Sequence, residues 1–122
     1  MRKKMIEKMM MLVLVTFLFT ACEYKYIEPE ALPSNISFAT SITPIFNSSC
    51  MGSNCHSTGA VAPDLTGGSA YAAIIGGGYV NTFDPQSSIL YIKVNTGSMS
   101  GFCTSADAAL ILQWIKQGAQ NN

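Results

Sequence analysis

The chain has 122 residues, with 7 Lys and Arg against 7 Asp and Glu and a single histidine. A chain of that size folds as one domain with a limited core, a class that often recruits a disulfide, metal or cofactor. The charge balance is uneven along the chain. Arg2, Lys3, Lys4 and Lys8 crowd the start, whereas residues 22–122 carry Lys25, Lys93 and Lys116 against Glu23, Glu28, Glu30, Asp64, Asp84 and Asp107, a net of −3. Such a segment is a poor nucleic-acid binder, which needs a basic surface.

In chain order, the basic start is followed by an uncharged apolar run, Met9 to Ala21, of 13 residues. At about 1.5 Å per residue this is too short to span about 30 Å of hydrocarbon as a helix. A basic segment, a short apolar core and small residues before a cut describe a secretory signal peptide. Phe19-Thr20-Ala21-Cys22 resembles the lipobox of bacterial lipoproteins, with Phe19 where an aliphatic residue is usual. The resemblance implies cleavage before Cys22, a lipid on Cys22, and an exported protein anchored on the periplasmic or cell-surface side of a bacterial membrane. The alternative is an ordinary signal peptide with a chance Cys22. The expected organisation is therefore signal peptide 1–21, tether 22–37 and domain 38–122.

The tether holds Pro29 and Pro33 and shows no sustained period. Ile42, Ile45 and Phe46 then fall at helical spacing, and Thr43-Pro44 suits a helix start, so a short helix runs toward Cys50. Residues 47–68 are loop chemistry, rich in Gly, Ser, Asn, Thr and Pro. A short helix is predicted over Ser69 to Ile75, capped by Ser69 and stopped at Gly76-Gly77-Gly78. Another fits Ser87 to Val94. The clearest element is Ser105 to Gln117. Thr104 and Asp107 form a capping-box variant, Ala108, Ile111, Leu112, Ile115 and Ala119 make an apolar stripe with Leu110 and Trp114 beside it, and Gly118 closes the end. The fold class is all-α and loop-rich.

The chemistry concentrates in Cys50-Met51-Gly52-Ser53-Asn54-Cys55-His56. Covalent haem attachment uses Cys-x-x-Cys-His; here four residues separate the cysteines. Two thiols must reach the two vinyl groups of a porphyrin, and the adjacent histidine must present a ring nitrogen to the iron. Only the link between the second cysteine and the histidine is rigid. The interval between the cysteines is a connecting arc, and Gly52, Ser53 and Asn54 let it bulge.

Together with Ile45-Phe46, Pro85-x-x-Ser88-x-Leu90-Tyr91-x-Lys93, Met99 and Trp114-Ile115-x-x-Gly118-Ala119, the motif resembles class I c-type cytochromes, most closely the short cytochrome domains of bacterial lipoproteins. The resemblance covers about Ile42 to Asn122. It implies a cytochrome c-like fold with N- and C-terminal helices packed around one covalent haem c, thioethers on Cys50 and Cys55, and His56 as proximal iron ligand. It also implies Met99, on the loop before the last helix, as the distal ligand. Ser100 stands where the family usually has proline. His/Met ligation raises the reduction potential, and the absence of a second histidine from the chain excludes bis-His ligation within one molecule. The implied function is a one-electron carrier, not an enzyme, with transient redox protein partners. The apolar wall is expected to include Phe46, Ile74, Leu90 and Trp114.

Other readings compete. Cys50, Cys55, His56 and Cys103 make a Cys3His zinc set, though adjacent Cys55 and His56 point apart. A disulfide-stapled lipoprotein binding module without haem would use Cys50–Cys55 or Cys55–Cys103, since an exported compartment permits disulfides. A haem enzyme or sensor would need an acid or base near Met99; Asp64 and Asp84 read instead as turn residues beside Pro63 and Pro85. The triple glycine at Gly76 lacks the spacing of a dinucleotide loop. A monohaem scheme leaves Cys103 without a role, either as a free thiol or as a disulfide partner.

Overall fold

The computed structural model describes residues 1–17, 31–52 and 54–122, for 11–17 the backbone alone. It divides into two units, Met1–Glu30 and Ala31–Asn122. In the first, α1 covers Arg2–Phe17. No described helix is long and apolar enough to cross a membrane. The expected cut site and Cys22 lie outside the described residues.

The second unit is helical, with no strand among the described residues, in agreement with the all-α reading. Thr43-Pro44 does begin an α-helix, α2 at Thr43–Ser49. A π-helical turn, Phe38–Ile42, precedes it. The Thr43 N–H and the Thr43 hydroxyl (at 3.1 Å) both donate to the Phe38 carbonyl. The wider turn suits the Pro44 ring, which in a regular α-helix meets the carbonyl four residues back. Before it, the Ile36 N–H donates to Gln117 Oε1 at 2.8 Å and the Phe38 N–H to Asn122 Oδ1 at 2.9 Å. The C-terminal segment thereby satisfies the N–H groups that a helix start leaves open. Ile36 is only 2% exposed, so the core begins before the expected boundary at 38.

The helix predicted over 69–75 is α3, Gly67–Gly76. Its cap position is Thr66 rather than Ser69, because the Thr66 carbonyl already accepts from the N–H groups of Ser69 and Ala70. The segment predicted over 87–94 divides into a 3₁₀ turn at Pro85–Ser87 and α4 at Ile89–Asn95. Ser88, between them, is buried. Its hydroxyl accepts from the Asn81 N–H at 2.9 Å and donates to the Asn81 carbonyl at 3.3 Å, pinning the preceding loop to the start of α4.

The last helix, α5 at Ser105–Lys116, carries the expected capping box. Asp107 N–H donates to Thr104 Oγ1 at 3.1 Å, and Thr104 N–H to Asp107 Oδ2 at 2.9 Å. Gly118 ends the helix at φ +94°, a conformation glycine adopts without penalty. Thr104→Ala is expected to cost about 1 kcal/mol; urea unfolding followed by far-UV circular dichroism checks this, and an unchanged midpoint would refute the cap's contribution.

α5 packs against the π turn and α4. Ala108, Ile111, Trp114 and Ile115 are its buried residues. Leu112, expected in the stripe, is only half-buried, while Trp114, expected beside it, is fully enclosed. The burying face is centred on 111–115 because aromatic rings converge there. Phe38 lies 5.2 Å from both Trp114 and Tyr71, ring centre to ring centre. Trp114 Nε1–H donates to the Gln120 carbonyl at 3.0 Å, and the Tyr71 hydroxyl to the Ala119 carbonyl at 2.9 Å, so each buried polar tip has a partner.

Candidate functional site

Cys50 is the C-cap residue of α2, its N–H bonded to the Phe46 carbonyl at 2.8 Å. From there the arc folds back on itself. Cys55 N–H donates to the Gly52 carbonyl at 2.9 Å and His56 N–H to the Cys50 carbonyl at 3.1 Å. Asn54 takes φ +67°, a left-handed turn that asparagine tolerates better than most residues. The extra residues between the cysteines are thus absorbed in a closed loop that returns His56 to the backbone of Cys50.

His56 is held by its ring. Nδ1 lies 3.1 Å from the Val61 carbonyl and 3.1 Å from the Pro63 carbonyl. Both partners can only accept, so Nδ1 carries the proton and donates. That fixes the tautomer with a lone pair on Nε2, the arrangement in which an outer carbonyl orients a metal-ligating imidazole. The Asp64 carboxylate accepts from the Thr66 N–H at 2.9 Å, and hydrogen bonds from Thr66 hold it below its usual carboxylate range. Asp64 is a turn residue, as its place after Pro63 suggested.

A cleft of about 320 Å³ opens beside this loop, lined mainly by apolar groups. Phe46, Ile74 and Leu90 form part of its wall, as expected. Trp114 does not; it lies in the aromatic core described above. Cys50, His56 and Met99 all line the same cleft. A smaller neighbouring recess is lined by Cys50, Cys55, His56 and Met99, with Val61 and Phe102. Residues that sequence reasoning did not place at the site include Val61, Pro63, Leu65, Tyr79 and Lys93. The first two belong to a loop whose composition announces turns but not which ring its carbonyls will meet.

Met99 is set by the end of α4. Gly97 N–H donates to the Ile92 carbonyl at 2.8 Å and Met99 N–H to the Lys93 carbonyl at 3.0 Å. A side chain at Gly97 would come within 2.9 Å of the Ile92 carbonyl oxygen and the Lys93 Cα, so only glycine permits this return. The Ser100 hydroxyl donates to the Gly97 carbonyl at 2.9 Å and tightens the turn around Met99. The Met99 side chain is partly buried against the core, although its flanking sequence is not apolar; long-range packing supplies that surface. Met51 also packs against the core but lines neither cleft.

Cys103 is partly buried against the core to which Cys50 belongs. Burial, with the Cys103, Cys55 and Asp107 groups nearby, pushes the Cys50 thiol from 9.0 up to about 12. Burial and then Asp107 also raise Cys103. Both stay protonated through neutral pH. Among the described residues, no three His, Cys, Asp or Glu side chains converge to hold a metal ion.

No family model, curated protein or solved structure matches this chain.

Proposed function

We propose that the protein is a monohaem c-type cytochrome acting as a one-electron carrier at the periplasmic side of a bacterial membrane. The observation that carries the reading is the sharing of one apolar cleft by Cys50, His56 and Met99, with His56 Nδ1 committed to two carbonyls. A haem bound there supplies one-electron exchange between ferrous and ferric iron. The chain's own residues do the rest. His56 offers Nε2 to the iron, and Met99 offers a soft, neutral thioether. Cys50 and Cys55 would each add S–H across a vinyl group, the sulfur bonding to one carbon and the hydrogen passing to the other. Phe46, Ile74 and Leu90 exclude water. Redox partners dock weakly and transiently, as small electron-transfer interfaces do, and the lipid on Cys22 confines the carrier to a membrane surface.

The test is co-expression with a haem-maturation system, followed by extraction with acidified organic solvent. Haem that stays with the protein supports the reading; haem that extracts, or a colourless product, counts against it. Met99→Ala is expected to remove the far-red methionine-to-iron band and lower the reduction potential while the covalent haem remains. A band that survives the substitution excludes Met99 as the distal ligand.

A second reading draws on Cys103, which packs against the core to which Cys50 belongs: a disulfide-stapled or zinc-stabilised binding lipoprotein without haem. A colourless protein with one disulfide, or with stoichiometric zinc, would favour it.

A further inference from the structure

A single formal charge stands in the lining of the apolar cleft. Lys93 lines it, and among the described residues no Asp or Glu does. Residues 31–122 hold only two lysines, Lys93 and Lys116, and no arginine, so a cation on this wall is not the by-product of a lysine-rich surface. α4 places it. Leu90 and Val94 are buried, whereas Ile89 and Lys93, also four residues apart, line the same cleft and stay exposed. Residues four apart share one helix edge, so Lys93 stands at the rim of the cleft, its stem along the apolar wall and its ammonium toward water. The turn that presents Met99 is tied to the same residue, since the Met99 N–H donates to the Lys93 carbonyl at 3.0 Å. The second thiol lies elsewhere: Cys55 lines the smaller recess and not the cleft, and Lys93 lines the cleft and not the recess.

We propose that Lys93 is a carboxylate anchor: it holds the acidic edge of a flat apolar ligand whose body fills the cleft, and in haem that edge carries the propionates. The identity of the ligand rests on the cytochrome reading; the carboxylate anchor does not. A porphyrin of the haem type bears its two vinyl groups on one edge and its two propionates on the opposite one. Thioethers at Cys50 and Cys55 therefore turn the propionates away from the recess that Cys55 lines. A carboxylate at the mouth of an apolar cleft loses part of its hydration, and an ammonium at the rim replaces that hydration with a charge-assisted hydrogen bond. Tyr79 and Ser98 add uncharged hydroxyls to the same lining. Lys93 lies in the last turn of α4, where the helix dipole favours a cation without any ligand, so fold stability does not report on this role.

Metal-free protoporphyrin IX separates the carboxylates from the iron, since it needs neither the His56 nor the Met99 ligand. The full chain, exported in a host without haem maturation, is titrated with this porphyrin and with its dimethyl ester, and binding is followed by porphyrin fluorescence. The free acid is expected to bind about fivefold more tightly than the ester, the upper range for a solvent-exposed ion pair. Lys93→Gln is expected to remove that preference and Lys93→Arg to keep it. Equal affinity for acid and ester, no porphyrin binding, or a preference that survives Lys93→Gln overturns the anchor. In the haem-loaded chain, acetic anhydride should acetylate Lys93 several-fold more slowly than in the haem-free chain, with Lys116, also exposed, unchanged; peptide mass spectrometry reads both. Covalent haem without protection of Lys93 leaves the cytochrome standing and removes the anchor. A porphyrin preference that depends on Lys93, in a chain that never takes covalent haem, leaves the anchor standing and removes the cytochrome.

Discussion

On the proposed cytochrome reading, replacing His56 with alanine is expected to abolish haem binding. His56 is the only histidine in the sequence, so no second imidazole can take its place. The ring is also oriented in advance. The Val61 and Pro63 carbonyls, each at 3.1 Å from Nδ1, hold the proton on that nitrogen and leave Nε2 open. Loss of outer partners of this kind typically costs about 10–100-fold in metal affinity, and loss of the ligand itself costs at least as much. Haem per chain, measured by pyridine haemochrome after co-expression with maturation factors, should fall about tenfold or more. Far-UV circular dichroism should keep its helical signal, because His56 is only half-buried and its loop packs at the rim of the core. Unchanged haem stoichiometry with an intact low-spin spectrum would remove His56 from the iron. The comparison with Cys55→Ser is instructive, since that change deletes one thioether yet leaves the imidazole; it should reduce covalent retention while some coordinated haem persists.

Trp114→Ala should unfold much of the population near body temperature. The side chain is 0% exposed, packs against Phe38 and Tyr71 at ring distances of 5.2 Å and 6.4 Å, and donates to the Gln120 carbonyl. Truncating a buried tryptophan costs about 3–5 kcal/mol, against about 5–15 kcal/mol of total stability in a small domain. A melting temperature lower by at least about 10 °C follows for a domain of this size. Thermal denaturation checks it. Trp114→Phe should be milder, retaining apolar volume but leaving the Gln120 carbonyl without its donor. The same pair of variants separates two roles for this residue. A core tryptophan lowers stability with little change in the haem absorption bands; a cleft-wall tryptophan would shift those bands with a smaller loss of stability. The geometry supports the first.

That distinction shows where sequence reasoning reaches its limit. Period and capping chemistry are local, and they place α5, its Thr104–Asp107 box and its Gly118 stop correctly. They cannot decide which residue of α5 faces the core most deeply. Leu112 and Trp114 both sit near the apolar stripe, and the choice is made by Phe38 and Tyr71, which arrive from other helices. The cap of α3 differs from the expected Ser69 for a similar reason: serine is a strong cap by type, but the Thr66 carbonyl has already opened the helix. Thr43-Pro44 announces a helix start, yet not the π turn ahead of it, which depends on the Ser37 and Phe38 carbonyls reaching five residues along.

The all-α character and the positions of the helices to within a few residues were legible in the sequence, because helical period, end caps and turn residues act between near neighbours. So was the clustering of two cysteines and the histidine between residues 50 and 56. Only the tertiary structure decided what that stretch faces. Folding brings Met99 into the same cleft as Cys50 and His56, turns the Val61 and Pro63 carbonyls onto the imidazole and withdraws Trp114 into the core. Each of these joins residues separated by a loop or a helix, and long-range packing, not local preference, fixes which of them meet.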